Sequence, residues 1–149
     1  MTDQTTSSLV VHASPAAVMG TIADFPAYPS WATGMRRAEV RSTGPDGRAG
    51  QVWFDLDAPP FRDSYTLAYR WKGDEEVSWT LVEGGLLRRL DGAYVLRDLG
   101  DGRTEVTYRL TLDLTMPLIG ALRRKGEKIL IETALVGLKN VVEQRGVTA

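Results

Sequence analysis

From Arg36 to Leu114 apolar and polar residues alternate with a period of two, and no other feature of the sequence narrows the possible folds as far. Val52, Phe54 and Leu56 alternate with Trp53, Asp55 and Asp57, and Tyr65, Leu67, Tyr69 and Trp71 alternate with Ser64, Thr66, Ala68 and Arg70. Val77, Trp79 and Leu81 are set against Ser78, Thr80 and Val82. Val106, Tyr108, Leu110, Leu112 and Leu114 are set against Thr107, Arg109, Thr111 and Asp113. Two further runs, one with Ala38 and Val40 and one with Leu90, Tyr94 and Leu96, bring the strands to six. Successive side chains of a strand point to opposite faces, so each run has an apolar and a polar side. The links between runs are turn sequences: GPDG at Gly44–Gly47, APP at Ala58–Pro60, KGDE at Lys72–Glu75, EGG at Glu83–Gly85 and LGDG at Leu99–Gly102. They are too short for crossover helices, so neighbouring strands pair antiparallel. A sheet of this kind is wet on one face and needs a cover on the other.

The cover is the stretch from Met116 to Gly146, MPLIGALRRKGEKILIETALVGLKNVVEQRG. Pro117 suits the first helical position and Gly146 the left-handed C′ position. At about 1.5 Å per residue the helix is roughly 43 Å long, enough to cross a small domain. Wound at helical pitch, Arg124, Lys125, Lys128, Glu132, Lys139 and Glu143 share one sector, laced by the i,i+4 pairs Lys128/Glu132 and Lys139/Glu143. The opposite sector carries Ile119, Leu122, Leu130, Thr133, Ala134 and Val141, flanked by Leu118, Ile129 and Val136, with Gly126 and Gly137 in its middle. Glycine inside a helix costs about 1 kcal/mol relative to alanine. Two of them on the inner face therefore serve either close packing against the sheet or a void between sheet and helix.

Ahead of the alternating region, residues 1–7 read as a flexible tail, and Ser8–Ala13 (SLVVHA) as a strand. Ser14-Pro15 forms an N-cap and first-turn pair for a helix over Pro15–Ala23. A second short helical or turn segment follows, with Phe25, Tyr28 and Trp31 among prolines. These rings are either a plug on the core or a wall of a pocket mouth. At 149 residues the chain is one domain with room for a real core. It has no cysteine and one histidine, so disulfides and thiolate metal sites are excluded, and no metal is expected. A start lacking the basic-then-apolar pattern of a signal peptide, and the absence of any long apolar run, point to a cytoplasmic protein. Eighteen basic against nineteen acidic residues offer nucleic acid no attraction.

The fold class is thus α+β: a curved seven-stranded antiparallel sheet, two short helices after the first strand, and a long C-terminal helix against the sheet. With that order of elements, SPAAVM at Ser14–Met19, FPAYPSW at Phe25–Trp31, VSWTLVEGG at Val77–Gly85 and GRTEVTYRL at Gly102–Leu110 resemble the polyketide cyclase/dehydrase group of the START-like, Bet v 1-like (SRPBCC) superfamily. The resemblance spans nearly the whole chain. It implies the helix-grip fold and an apolar cavity between sheet and helix. It brings to mind aromatase/cyclases of aromatic polyketide pathways, coenzyme Q-binding proteins, plant hydrophobic-ligand carriers and sterol-transfer domains, and it implies no cofactor.

No nucleophile and base pair can be assembled from these residues. His12 falls at a surface or edge position, and Asp55 and Asp57 fall on the outer face. Arg123-Arg124-Lys125 reads as a solvated face, and the GPDG and GDG turns join strands instead of opening a helix. In the enzymes that the chain resembles, an arginine on a central strand acts with tyrosines and tryptophans. Arg70 stands at about that place, yet with the apolar face inside the alternation turns it toward solvent, whereas a bulge would reverse the assignment. The sequence leaves open which face of the Arg62–Trp71 strand points inward. Arg70, Tyr69 and Tyr94 are the candidates for catalysis. The expected ligand site comprises Trp31, Phe54, Tyr65, Tyr69, Trp79, Tyr94 and Tyr108, with Leu122, Gly126, Ile129, Thr133 and Val136 from the helix. Tyrosines among aliphatics suit a large apolar molecule with a few oxygens. The leading expectation is therefore a monomer or homodimer that binds a lipid, polyketide or isoprenoid. A cofactor-free cyclase or dehydrase is one alternative. A protein-interaction module, like ribosome-associated members of the superfamily, is the other, and an exposed patch at Tyr28 and Trp31 would favour it.

Overall fold

The structure, a computed structural model, describes residues 4–58, 61–115 and 120–148, with side chains through the last segment described for 124–145. Seven strands form one antiparallel sheet in the order β1-β7-β6-β5-β4-β3-β2. They are β1 (Gln4–Val11), β2 (Met35–Thr43), β3 (Ala49–Ala58), β4 (Phe61–Lys72), β5 (Glu76–Gly84), β6 (Leu87–Gly100) and β7 (Arg103–Leu114). The chain runs as a meander from β2 to β7, and β1 closes the far edge beside β7. β1 begins earlier than the sequence suggests. Gln4 pairs with Thr111 and Ser7 with Tyr108, so residues 4–7 of the expected tail are strand. Ladder hydrogen bonds come from the main chain, so a polar stretch pairs as well as an apolar one when a partner edge is available.

Between β1 and β2 lie α1 (Pro15–Ala23) and a 3-10 helix over Phe25–Ser30. Ser14 caps α1, its Oγ accepting from the Ala17 N–H at 3.2 Å, and Val18, Met19 and Ile22 are buried beneath it. The 3-10 helix is pinned back on α1 by the Tyr28 hydroxyl, which donates to the Ile22 carbonyl.

β4 keeps strict alternation along its inner face, with Tyr65 and Leu67 buried, Tyr69 and Trp71 half-buried, and Arg70 exposed on the outside. The irregularity lies in its neighbour. Thr66 pairs with Glu83 and Leu67 with Leu81, which leaves Val82 as an extra, exposed residue on β5. This bulge bends β5 without turning β4 over, so the phenols of β4 stay inside.

The C-terminal helix is α2 (Gly120–Glu132), a π-helical turn over Thr133–Gly137, and α3 (Leu138–Thr148). Pro117 lies outside the described residues. The helix runs on through Gly146 to Thr148, so Gly146 does not end it at a C′ position. An internal glycine weakens a helix but leaves its hydrogen-bond ladder unbroken. The π turn was not foreseen. It adds a residue to one turn, so the buried stripe continues through Ala134, Leu135, Leu138 and Val142. Val136, expected on the inner flank, is instead 49% exposed. α3 is clasped to β1, with Lys139 Nζ donating to the Val10 carbonyl at 2.9 Å and pairing with Glu143 at 2.6 Å. The Glu143 carboxylate also accepts from the His12 N–H at 2.9 Å.

Candidate functional site

An apolar cavity lies between the inner face of the sheet and the C-terminal helix. Its volume is about 130 Å³. The sheet contributes Phe54, Tyr65, Tyr69, Trp79, Tyr94 and Tyr108, and the 3-10 segment contributes Trp31. From the helix come Gly126, Ile129 and Thr133. Val136 faces away, and the side chain of Leu122 lies outside the described residues. Arg70 does not line the cavity, because its place in the β4 alternation points it outward.

The aromatic wall is continuous. Phe54 and Tyr65 stack at 5.4 Å between centroids, and Trp79 stands 5.6 Å from both Tyr94 and Tyr108. Gly92 makes room for this wall. A Cβ there would lie 2.5 Å from the Trp79 ring and 2.8 Å from the Arg109 carbonyl oxygen, so the indole packs directly against bare backbone. The two helix glycines also serve contact. A Cβ at Gly126 would come within 2.8 Å of the Phe61 ring, and one at Gly137 within 3.3 Å of the Trp31 carbonyl oxygen. Close packing, not empty space, is what these two positions supply.

Polar groups inside are sparse. The Tyr94 hydroxyl donates to the Ala134 carbonyl at 2.9 Å. Ala134 belongs to the π turn, where the Leu138 N–H bonds to the Leu135 carbonyl, so the phenol ties the aromatic wall to that turn. The hydroxyls of Tyr65, Tyr69 and Tyr108 make no hydrogen bond to another described residue, while their rings line the cavity. The Trp31 indole N–H is buried and likewise without a partner among them. Burial pushes all five phenols, Tyr28 included, well above the usual value near 10. Repulsion between neighbouring phenolates adds to this at Tyr28, Tyr65, Tyr69 and Tyr94. The phenols therefore stand in the cavity as neutral donors, suited to an acceptor oxygen and not to taking up protons.

Several lining residues were not singled out in the sequence. Leu90 and Leu112 belong to alternating runs and were legible there. Asp63 shares the parity of Tyr65 and Leu67, the signal that would have found it. Phe61 required the tertiary contacts, whereas Tyr28 belongs to the ring cluster already read as a plug or a pocket wall. Tyr28 is only 9% exposed and Trp31 is half-buried, so the pair forms no exposed aromatic patch. His12 is exposed, as are Arg124 and Lys125. Asp55, on the outer face, accepts from Ser64 Oγ at 3.3 Å.

A family model described as polyketide cyclase/dehydrase and lipid transport matches residues 11–139. No curated protein matches the chain. Among solved structures, a START superfamily protein from Mycobacterium smegmatis is similar over 95% of this chain and 97% of its own, with a TM-score of 0.86 at 20% identity. The ZhuI aromatase/cyclase from Streptomyces sp. R1128 is similar over 97% of this chain and 96% of its own, with a TM-score of 0.81 at 14% identity. The di-domain aromatase/cyclase StfQ of the steffimycin biosynthetic pathway gives a TM-score of 0.81 at 12% identity, over 98% of this chain and 52% of its own. At such identities these likenesses speak for the fold, whereas the family match covers most of the sequence: the chain belongs to the polyketide cyclase/dehydrase and lipid transport family.

Proposed function

We propose that this protein binds a small hydrophobic molecule in the cavity between sheet and helix. The observation that carries the reading is an apolar space walled by aromatic rings, into which neutral phenols without a hydrogen-bond partner among the described residues are set. A ligand oxygen in the cavity can accept from these hydroxyls, which gives an apolar molecule with a few oxygens a fixed orientation. Native mass spectrometry of the protein as purified, followed by extraction, is expected to give an apolar molecule that is released on denaturation. A clean apo mass that stays unchanged after incubation with lipids and aromatic polyketides would count against the reading. Gly126→Leu supplies a second test. Its side chain must displace the Phe61 ring at the cavity wall, and the expected result is loss of uptake in a protein that still folds. Normal uptake by this variant would rule out the proposed location.

A second reading, cofactor-free cyclisation of a poly-β-ketone, is favoured by the same hydroxyls, since neutral phenols can hold ketone oxygens and polarise them. With Arg70 turned to solvent, this chemistry would fall to Tyr65, Tyr69, Tyr94 and Tyr108. Arg70→Ala is then expected to leave the product pattern intact, and Tyr108→Phe to broaden it.

A further inference from the structure

The cavity has a rim built where the starts of β4 and β6 and the end of β7 meet α2, with Phe61, Asp63, Leu86, Leu87 and Leu114 among its residues. Asp63 is the exception in this apolar setting. Its Oδ1 accepts from the Ser64 and Gly85 N–H groups, each at 3.0 Å, and its Oδ2 from the Leu87 N–H at 3.1 Å. Three main-chain donors thus hold the carboxylate in place. Among the described residues that line the cavity, it is the one with a formally charged side chain. The arginines nearby are turned away or engaged. Arg62 is exposed on the outer face of β4, Arg88 pairs with Asp113 and Arg89 pairs with Asp91.

We propose that Asp63 makes this cavity selective by charge, admitting uncharged apolar molecules and turning away their carboxylate analogues. This inference rests on the binding reading above and concerns the kind of molecule bound. A carboxylate ligand gives up its hydration on entry, and none of the described lining side chains is a cation that would offset the loss. Near the rim it also meets a fixed negative charge in a partly desolvated setting, where like charges repel far more strongly than in water. An ester or ketone of the same size suffers neither effect, and its oxygens accept from the free phenols.

The test is displacement of the neutral fluorophore N-phenyl-1-naphthylamine by methyl decanoate and by undecanoate at pH 8. The ester and the acid are isomers and differ in use only by the acid's charge. Methyl decanoate is expected to displace the probe at a concentration at least about tenfold lower. Asp63→Asn should bring the two within about threefold, because the repulsion is lost while one acceptor oxygen remains. Should that variant fail to fold, Leu87→Lys places a cation beside the carboxylate without removing its three hydrogen bonds, and the same narrowing is expected. Equal potency of the two isomers on the unaltered protein would overturn the inference and leave the binding reading standing. A ratio unmoved by Asp63→Asn or Leu87→Lys would overturn the role of Asp63. Failure of the probe and of both isomers to bind, confirmed by native mass spectrometry, would overturn the binding reading together with the inference.

Discussion

Tyr94→Phe removes one buried hydrogen bond, from the phenol to the Ala134 carbonyl, and keeps the ring in the aromatic wall. A buried carbonyl that loses its donor costs about 1–3 kcal/mol, so the urea midpoint should fall by a corresponding amount with little change in slope. Gly92→Ala acts in the opposite way, by adding an atom where there is no room. The new Cβ would stand 2.5 Å from Trp79 and 2.8 Å from a main-chain oxygen, so either the indole moves or the strands part. Overpacking of this kind costs about 1–3 kcal/mol, and a shifted Trp79 should appear as an altered near-ultraviolet circular dichroism spectrum. An unchanged spectrum and midpoint would mean that the indole does not lie over Gly92.

At the scale of elements, the π turn and the clasp between α3 and β1 set how the long helix sits. A straight α-helix would carry its apolar stripe past Val136, whereas the π turn redirects the stripe to Leu138 and Val142 and seats α3 between β1 and α1. Arg145 extends this seat by donating to Thr21 Oγ1 at 3.2 Å. Partial burial would raise the Glu143 carboxyl, but hydrogen bonds from Lys139 and the His12 N–H outweigh it and hold the group below its usual value. Its contribution to stability is therefore present above the unfolded-state value and is lost as pH falls through the lower folded one. Because the pair is largely solvated, Glu143→Gln should cost no more than about 1 kcal/mol. Amide hydrogen exchange is expected to localise the loosening to α3 and β1 and to spare β3 to β5.

At the scale of the whole molecule, every tyrosine of the chain is a phenol held neutral by burial. Their folded values lie above the unfolded one, so the native state retains protons that the unfolded chain releases once pH passes about 10. Stability is thus complete below that pH and falls as pH rises above it, by up to about 1.4 kcal/mol per tyrosine per pH unit. Urea midpoints between pH 8 and pH 11 should stay level at first and then drop steeply, with tyrosine ionisation at 295 nm coinciding with unfolding. Ionisation of the phenols in a protein that is still folded would contradict the buried arrangement of the wall.

The strands, their antiparallel order and the helix that covers them were legible in the residues, because hydrophobic periodicity is a local property that reports which face of an element is buried. The inward position of Tyr108 followed from the same alternation. On β4 the alternation left open a bulge that would exchange Arg70 with Tyr65 and Tyr69, and only the register with β5 decided that Arg70 faces out. Resemblance in four short motifs was enough to indicate the family. What the tertiary structure alone decided are matters of contact between elements distant in sequence. Gln4 is in a strand because the edge of β7 was free to pair with it. Val136 is outside because a π turn changed the phase of the helix, and no local preference for that turn stands out in TALVG. Gly126 and Gly137 admit both a void and close packing when the helix is viewed alone, and only the arrival of Phe61 and Trp31 distinguishes the two. Asp63 has the parity of an inner residue, but its place on the cavity rim depends on the Gly84–Leu87 turn brought to it from the next strands. Periodicity assigns a residue to a face, whereas the neighbours it meets there are set by packing across the whole fold.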